Sequence, residues 1–190
     1  MSSSDCKVDD RSHKKLLKLP LDETTLKSLR AGDSCLLTGT LFTLRDAGHM
    51  RLLEEINVQD SECLPYGLKG QTIFYAGPTP ASAGRPFGAI GPTTSSRMDF
   101  AAPQLYDAGV VATIGKGIRS REVKDACVRN GAVYFVTVGC AAAYLAKCIS
   151  DEEVLAYDEL GTEALRRIEV VDFPVFVGID TNGADIYEME

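Results

Sequence analysis

The chain contains, at residues 35–56, the stretch CLLTGTLFTLRDAGHMRLLEEI, which passes from strand-like to helix-like sequence. Cys35 to Thr43 is rich in apolar and β-branched residues, as in a buried strand, whereas Asp46 to Ile56 is typical of a helix. The same order recurs at two later places: Val110 to Ile114 followed by Ser120 to Arg129, and Val133 to Val138 followed by Ala141 to Ile149. Strands that alternate with helices predict a largely parallel sheet covered by helices, so we expect an α/β fold.

Further strands are expected near the middle and the end of the chain. They lie at Thr72–Ala76, Val175–Ile179 and Ala184–Tyr187, and an Asn-Gly pair between the last two favours a tight hairpin turn. The hairpin implies some antiparallel pairing beside the parallel sheet. We interpret Asp151–Tyr157 as a helical turn or linker and Gly161–Ile168 as a short helix.

One domain accounts for most of the 190 residues, of which 45% are hydrophobic. We assign it residues 20–190, beginning with a short helix that Asp22 caps and that runs to Arg30 before ending at Gly32. Residues 1–19 mix serines with basic residues without clear periodicity, and we interpret them as a flexible N-terminal arm.

The composition argues against several classes of function. The net charge of −7 is unsuited to a surface that binds nucleic acid by neutralising phosphates. No run approaches the roughly 20 apolar residues of a membrane span, and the first residues lack the apolar stretch of a signal peptide. We therefore expect a soluble, cytoplasmic protein with no nucleic-acid or membrane partner, in which local positive charge holds any anionic ligand.

Six cysteines lie at positions 6, 35, 63, 127, 140 and 148, with no C-x-x-C pair. We therefore expect no metal site in this chain, although spacing alone leaves open that three distant cysteines meet in the fold. Cys35, Cys127 and Cys148 occupy apolar runs and are interpreted as small buried hydrophobic residues. Cys140 lies at a turn of small residues that close packing explains, and a helix N-terminus there could make its thiol more reactive.

The turn after the first strand holds a candidate anion site. Thr43 and Asp46 are spaced as a capping box, which predicts a helix start near Leu44 and places Arg45 beside free backbone N–H groups. A helix N-terminus and an arginine fork both favour a carboxylate. A surface arginine paired with Asp46 or a nearby glutamate is the alternative. His49 falls one turn beyond Arg45, either as a proton donor or base or as a buried core residue.

A second candidate lies in the 23 residues from Gly77 to Asp99, of which 14 are Gly, Pro, Ser or Thr. A connection this long is uncommon in a compact domain, and the aromatic and basic residues within it favour a functional loop. Its last part, GPTTSSRMD at residues 91–99, offers hydroxyl groups beside Arg97. The composition of this part fits an anion pocket and a plain turn into a helix near Asp99 about equally well.

A third candidate is Lys116, which stands between Gly115 and Gly117 after an expected strand. In open α/β sheets, ligands bind beyond the carboxyl ends of the strands, and glycines let the backbone approach them closely. The spacing is not that of a phosphate-binding P-loop. Arg45, Arg97 and Lys116 are thus three cations beside special turns in an acidic chain, a pattern that suits a small dicarboxylate.

In these motifs the chain resembles the carboxyl-terminal domain, or free β subunit, of the class I fumarases and the related L-tartrate dehydratases. The shared motifs, in order, are TG at 38–39, RDAGH at 45–49, YAGPTP at 75–80, GPTTSSRMD at 91–99, IGKG at 114–117, DFP at 172–174 and ID at 179–180. Several motifs in order are more specific than any one of them. Two departures are Gly139-Cys140, where the family commonly has two glycines, and Gly48, where it often has alanine. Glycine should loosen the helix there by at most about 1 kcal/mol.

The resemblance implies a swivelling β/β/α domain, with an additional antiparallel sheet. It also implies a larger α subunit that carries a [4Fe-4S] cluster on three of its own cysteines, assembled with this chain as an α2β2 heterotetramer. In the family, the residues matching Arg45, Thr93, Arg97 and Lys116 contact the dicarboxylate. Thr93 is then the candidate proton-transferring group, with His49 as a second, and a base supplied by the α subunit is equally compatible with the sequence.

The activity implied by the resemblance is the reversible hydration of fumarate to L-malate, by this chain only together with the α subunit. The run RMD at 97–99 and the run GIRSREV at 117–123 favour fumarate over tartrate. Dehydration of L-tartrate, hydration of mesaconate and a non-catalytic anion-binding module are the alternatives.

Overall fold

The structure of the protein, a computed structural model, describes residues 13–59, 64–79, 88–137 and 142–189. Its strands are β1 (Lys15–Lys18), β2 (Ser34–Thr43), β3 (Thr72–Phe74), β4 (Ala112–Gly115), β5 (Val133–Val136), β6 (Ile149–Ala156) and β7 (Leu165–Ile179). Its α-helices are α1 (Glu23–Ser28), α2 (Asp46–Gln59), α3 (Ala102–Asp107), α4 (Arg121–Asn130) and α5 (Ala142–Lys147). Short 3-10 helices cover Pro65–Gly67, Ser95–Met98 and Asp158–Glu163. None of the helices in these ranges is long and apolar enough to cross a membrane.

The strands form one seven-stranded sheet that closes on itself. Strands β1 to β5 are neighbours in sequence order and run parallel. The long β7 runs antiparallel to both β2 and β5, so β2, β3, β4, β5 and β7 form a ring, while β6 pairs with the first half of β7. The expected α/β fold is confirmed, with a mixed sheet in which β1 to β5 run parallel and β7 pairs antiparallel with three neighbours. The antiparallel pairing, however, belongs to this same sheet rather than to an additional one.

Residues alternate between two hydrophobic cores along the strands. In β5, Val133 and Phe135 belong to one buried cluster, whereas Tyr134 and Val136 belong to a second that includes Val123 of α4. This period of two is expected of a strand that is covered on both faces. Each large apolar side chain buried in this way stabilises the fold by roughly 1.5–3 kcal/mol, so the sheet is a firm support for the turns at its edge.

The carboxyl-terminal third corrects two predictions. Asp151–Tyr157 is not a helical turn but lies almost entirely in β6. Gly161–Ile168 is not a helix of its own, because residues 161–163 end the last 3-10 helix and residues 165–168 begin β7. Acidic residues of β6 face basic residues of β7: Arg167 Nη2 lies 2.8 Å from Glu153 Oε2. Such cross-strand pairs depend on the tertiary pairing, which a local charge pattern does not reveal.

The two ends of the chain also differ from expectation. Lys15–Lys18, which we included in a flexible arm of residues 1–19, forms β1 at the edge of the sheet. Residues 1–12 lie outside the described residues, so the remainder of the arm stays a prediction. Near the other end, Ala184–Tyr187 forms only an isolated bridge, with Ile179, instead of a strand.

Helix α1 has the expected cap but a different end. Asp22 Oδ1 accepts a hydrogen bond from the Thr25 N–H at 2.7 Å. The helix stops at Ser28 rather than at Arg30, and Gly32, with φ of +90°, lies in the turn that follows.

A substitution at Gly39 tests how closely the chain before α1 approaches β2. Its φ is +127°, and a Cβ added there would lie 2.9 Å from the Leu19 carbonyl oxygen, whereas a Cβ at Gly32 would meet nothing within 4 Å. Both substitutions strain a left-handed backbone, but only the first creates a clash. We expect Gly39→Ala to lower the free energy of unfolding by about 2–4 kcal/mol and Gly32→Ala by about 1 kcal/mol in denaturant titrations. Equal losses would contradict the close approach.

Candidate functional site

The cationic turns follow adjacent parallel strands. Strands β2, β3 and β4 are neighbours, and their carboxyl ends meet at one edge of the sheet, where α/β folds place ligand-binding loops. Arg45 follows β2, and Lys116 follows β4. Gly77 follows β3, and a Cβ there would lie 3.0 Å from Arg45 Cδ, so the stem of the arginine rests against the chain that leaves β3.

The loop at residues 91–99 lies across the ends of β3 and β4. The Thr93 N–H donates to the Tyr75 carbonyl at 2.8 Å, and the Ser95 N–H donates to the Lys116 carbonyl at 2.9 Å. Thr94 forms an isolated parallel bridge with Lys116. These contacts place Thr93 and Lys116 at the same edge as Arg45.

Ser95 anchors this loop to the sheet. Its side chain is buried, and its Oγ accepts hydrogen bonds from the Lys116 N–H and the Tyr134 hydroxyl, both at 2.9 Å. A Cβ at Gly115 would lie 1.9 Å from the same oxygen, so only glycine leaves room for it. Of the hydroxyl groups that we expected to line a pocket beside Arg97, that of Ser95 therefore has a structural role instead.

Asp99 anchors the other end of the loop on Arg119, a residue that the sequence did not single out. Asp99 Oδ1 accepts a hydrogen bond from Arg119 Nε and Oδ2 one from the Ser120 N–H, both at 2.7 Å. The guanidinium carbon of Arg119 lies 5.2 Å from the Tyr75 ring centroid and 4.8 Å from that of Tyr134. Burial alone would lower the pKa of Arg119, but its neighbours, Asp99 among them, raise it above its ordinary value. The buried guanidinium therefore stays charged and fixes the loop.

Asp46 lies between the two candidate arginines. Its Oδ1 is 2.7 Å from Arg97 Nε, and its Oδ2 is 3.7 Å from Arg45 Nη2. Arg45 Nη2 also lies 3.5 Å from Glu163 Oε1, and Arg45 Nε is buried without a hydrogen-bond partner in the part of the chain that the structure describes. Arg45 thus faces two carboxylates at ion-pair distance but is hydrogen-bonded to neither. The alternative of an arginine paired with Asp46 or a glutamate is thus realised in part, as long ion pairs with Asp46 and with Glu163.

The expected capping box does not form. Helix α2 begins at Asp46, and the Thr43 hydroxyl, still within β2, is buried with no partner among the described residues. Glu163 Oε2 caps the helix instead by accepting a hydrogen bond from the Ala47 N–H at 2.7 Å. We expected a carboxylate at this helix N-terminus, and the chain supplies one itself from 116 positions away.

Gly48 makes room for the segment that carries Glu163. A Cβ at Gly48 would lie 2.5 Å from the Glu163 carbonyl oxygen and 2.4 Å from Leu44 Cδ1. A Cβ at Gly77 would similarly lie 2.2 Å from the Thr162 carbonyl oxygen. Helix propensity alone predicts that glycine at position 48 loosens the helix. In the structure this glycine permits close packing instead.

Gly48→Ala therefore has an expected effect opposite to helix propensity. Propensity favours alanine by about 1 kcal/mol, but the clash with a backbone oxygen should make the variant less stable by about 1–3 kcal/mol. The exposed Glu54 of the same helix provides the control, since the difference between Glu54→Gly and Glu54→Ala measures propensity alone. Chemical denaturation of the three variants and of the unsubstituted chain gives the comparison. A stabilised Gly48→Ala would contradict the packing.

His49 lies in the core below Arg45. It is fully buried, its Nδ1 lies 2.8 Å from the Arg45 carbonyl oxygen, and its ring packs edge-on against Tyr75 with centroids 5.3 Å apart. The carbonyl can only accept, so Nδ1 carries the ring proton. Burial lowers the pKa of His49 to about 4. Of our two alternatives the structure shows the buried core residue, and this placement argues against His49 as a proton donor or base.

The buried ring of His49 makes stability depend on pH with a defined sign. Because the folded pKa of about 4 lies below the ordinary value of 6.5, the unfolded chain binds more protons between these values. The stability that neutral His49 contributes is complete above pH 6.5 and is lost as the pH falls toward 4, by up to about 1.4 kcal/mol per pH unit. His49→Asn keeps a donor for the Arg45 carbonyl and should flatten this slope in unfolding titrations between pH 4 and 7. An unchanged slope in the variant would contradict a buried neutral ring.

The other three candidates are accessible at the same edge. Lys116 is exposed and makes no ion pair with the residues that the structure describes. Thr93 is half-buried, and its hydroxyl makes no hydrogen bond within the same ranges. Arg97 is half-exposed on the 3-10 helix Ser95–Met98. The structure therefore brings Arg45, Thr93, Arg97 and Lys116 to one edge and turns only His49 inward.

The described thiols do not fit an iron–sulfur cluster. Cys35 and Cys127 are buried in different cores, and burial raises the pKa of Cys35 to about 12 and that of Cys127 to about 11. Cys148, half-buried after α5, makes only weak contacts to backbone oxygens. Among the described residues, no three His, Cys, Asp or Glu side chains group to hold a metal ion. Cys6, Cys63 and Cys140 lie outside those residues, so the expected reactivity of Cys140 stays a prediction.

A cavity of about 740 Å³ opens elsewhere on the molecule, lined among others by Leu26, Lys27, Val111 and Gly131. Val111 and Gly131 precede β4 and β5, so this cavity lies at the amino ends of the strands. None of the candidate residues lines it. The converging cations and the anchored loop favour the opposite, carboxyl edge as the functional site.

The chain is similar to known proteins over most of its length. A model of the family described as Fumarase C-terminus matches residues 3–190. The chain is 38% identical to fumarate hydratase 2 of Leishmania major, over 98% of this chain and 32% of that protein. It is 42% identical to the anaerobic class I fumarate hydratase of Escherichia coli strain K12, over 80% of this chain and 28% of that protein. It is 34% identical to the L(+)-tartrate dehydratase subunit beta of the same strain, over 91% of this chain and 86% of that protein. The chain thus spans about a third of the length of these fumarate hydratases.

Proposed function

The chain belongs to the fumarase carboxyl-terminal family, and from this premise we propose that it is the β subunit of a hydro-lyase that reversibly hydrates fumarate to L-malate. In this proposal Arg45, Thr93, Arg97 and Lys116 bind one carboxylate of the substrate. A second chain, the α subunit, supplies the part of the enzyme that the fumarate hydratases contain in the rest of their length. The similarity to a protein named as a beta subunit supports this division.

The proposed assembly is a cytoplasmic α2β2 heterotetramer, in which the α subunit carries the [4Fe-4S] cluster. This chain would be a swivelling β/β/α domain of the kind that the family resemblance implies, and it would cover the end of the substrate away from the cluster. The described thiols of this chain do not fit a cluster, so its own part in the reaction rests on its other side chains.

The observation that carries the proposal is the loosely held charge of Arg45. Its Nε is buried and unpaired within the described residues, and its closest carboxylates, on Asp46 and Glu163, lie beyond hydrogen-bond distance. These long ion pairs leave the charge of Arg45 without a close counter-ion, which a bidentate contact of a ligand carboxylate with its terminal nitrogens would supply. The exposed cations of Arg97 and Lys116 lie at the same edge and would share that carboxylate.

The proposed chemistry of this chain is charge stabilisation and proton transfer. Removing a proton beside a carboxylate builds a second negative charge on it, and Arg45, Arg97 and Lys116 stabilise that charge more than the ground state. Thr93 transfers the proton in this scheme, because its hydroxyl is not engaged by the described residues and nearby cations favour its ionised form. His49 takes no part, since its ring is buried and neutral.

Dehydration of L-tartrate is the second candidate function. The L(+)-tartrate dehydratase beta subunit is matched over 86% of its length, so it resembles this chain in size as well as in sequence. The same cations would hold a tartrate carboxylate. Assays of the anaerobically co-expressed α and β chains on fumarate, L-tartrate and mesaconate separate these reactions. The highest kcat/KM on fumarate supports the proposal, whereas the highest kcat/KM on L-tartrate replaces it with the second candidate.

Arg97→Ala tests the substrate-binding role directly. We expect it to lower kcat/KM of the assembled enzyme by at least about a hundredfold, because it removes a charged contact to the reacting carboxylate, while assembly stays intact. Arg167→Ala is a matched control, since the Arg167 side chain is 49% exposed against 51% for Arg97 and also pairs with a carboxylate. Steady-state kinetics and size-exclusion chromatography give the two readouts. Near-normal activity of Arg97→Ala, or an equal loss in the control, would contradict the role.

A further inference from the structure

We propose that Asp46 is the positioning residue for Arg97, which it orients so that the two terminal guanidinium nitrogens face the substrate carboxylate. The inference rests on the proposed function of the site and adds to it a residue that acts through the arginine rather than on the substrate.

The geometry of the ion pair supports this orientation. Asp46 Oδ1 approaches Arg97 at Nε, at 2.7 Å, which is the inner edge of the guanidinium. The two Nη nitrogens make no hydrogen bond to the residues that the structure describes. Those two nitrogens match the spacing of the oxygens of a carboxylate. A contact at Nε therefore leaves the ligand-binding end of Arg97 available.

Asp46 is itself held by a rigid element. It is the first residue of the 14-residue helix α2, and the N–H of its neighbour Ala47 donates a hydrogen bond to the Glu163 carboxylate. Arg97 comes from a different element, the 3-10 helix of the loop that Ser95 and Asp99 anchor. Asp46 is thus the link between the two elements that present the arginines, and it restricts an otherwise half-exposed, flexible side chain before the ligand arrives.

The charges at this edge also fit a single carboxylate. The three cations Arg45, Arg97 and Lys116 and the two carboxylates Asp46 and Glu163 leave a net charge of about one positive unit at neutral pH. One substrate carboxylate neutralises that charge. The other end of a dicarboxylate is left for groups outside this chain, in keeping with a site completed by the α subunit.

A competing role predicts the opposite effect of removing the charge. If Asp46 only competed with the substrate for Arg97, Asp46→Asn would make the site more positive and bind anions more tightly. If Asp46 positions Arg97, the same change releases the side chain and weakens binding. The direction of the change in affinity therefore separates the two roles.

The experiment uses the assembled complex of both subunits, titrated calorimetrically with succinate, together with kcat and KM for fumarate. Asp46→Asn should weaken succinate binding by about tenfold and lower kcat/KM for fumarate by at least as much, because Arg97 contacts the carboxylate whose charge grows in the transition state. In an Arg97→Ala background, Asp46→Asn should have no further effect on either value. If Asp46 had only a structural role at the helix start, the substitution would weaken binding in that background as well. Glu153→Gln, which breaks the exposed pair with Arg167, is the matched control and should change neither value.

Unchanged or tighter succinate binding by Asp46→Asn, or an equal effect of it in the Arg97→Ala background, overturns the role of Asp46 and leaves the proposed function standing. An unsubstituted complex that neither binds succinate nor converts fumarate, L-tartrate or mesaconate overturns the proposed function and this inference with it. If Asp46→Asn fails to assemble, Arg97→Lys decides, because lysine keeps the charge but has no Nε edge for Asp46. It should weaken succinate binding about tenfold, and normal binding would overturn the proposal.

Discussion

Two buried polar anchors hold the loop at residues 91–99 on the sheet, and the arrangement of the site depends on them. The Ser95 hydroxyl occupies the space above Gly115 and bonds to the chain after β4 and to Tyr134 of β5. The Asp99 carboxylate bonds to Arg119, whose side chain is fully buried. Removing one partner of a buried ion pair leaves an uncompensated charge and typically costs about 3–5 kcal/mol, so Asp99 and Arg119 stabilise the loop only as a pair. They fix the backbone from which Thr93 and Arg97 project.

The closed sheet explains why these anchors can be rigid. Strand β7 pairs with β2, β5 and β6, so β2 to β5 are held on both sides and the edge formed by their carboxyl ends does not splay. The site also contains its own carboxylates, Asp46 and Glu163, beside the arginines. A loop and a charge pattern that are ordered before binding lower the entropy cost of holding a small ligand.

The sequence predicted the strand-to-helix units, because each depends on local periodicity, and it predicted Arg45 and Lys116 as edge residues from their positions after strands. It did not predict β6, whose charged residues are stabilised as a strand by β7. It did not predict the cap at Ala47 either, since Glu163 reaches it only through the tertiary fold. Hydroxyl-rich composition could not show that Ser95 points into the core. An arginine in the run GIRSREV likewise reads as exposed, although Arg119 is buried between two tyrosines.

In the proposed function this chain is half of an active site, with cations for one carboxylate and, among the described residues, no set of side chains that would hold a metal. The most direct measurement is fumarate turnover under anaerobic conditions by this chain alone, by the α subunit alone and by the two together. The account predicts L-malate formation only by the mixture, at a rate that saturates as the two chains reach equal amounts. Turnover by this chain alone, or no turnover by an assembled mixture, would contradict it.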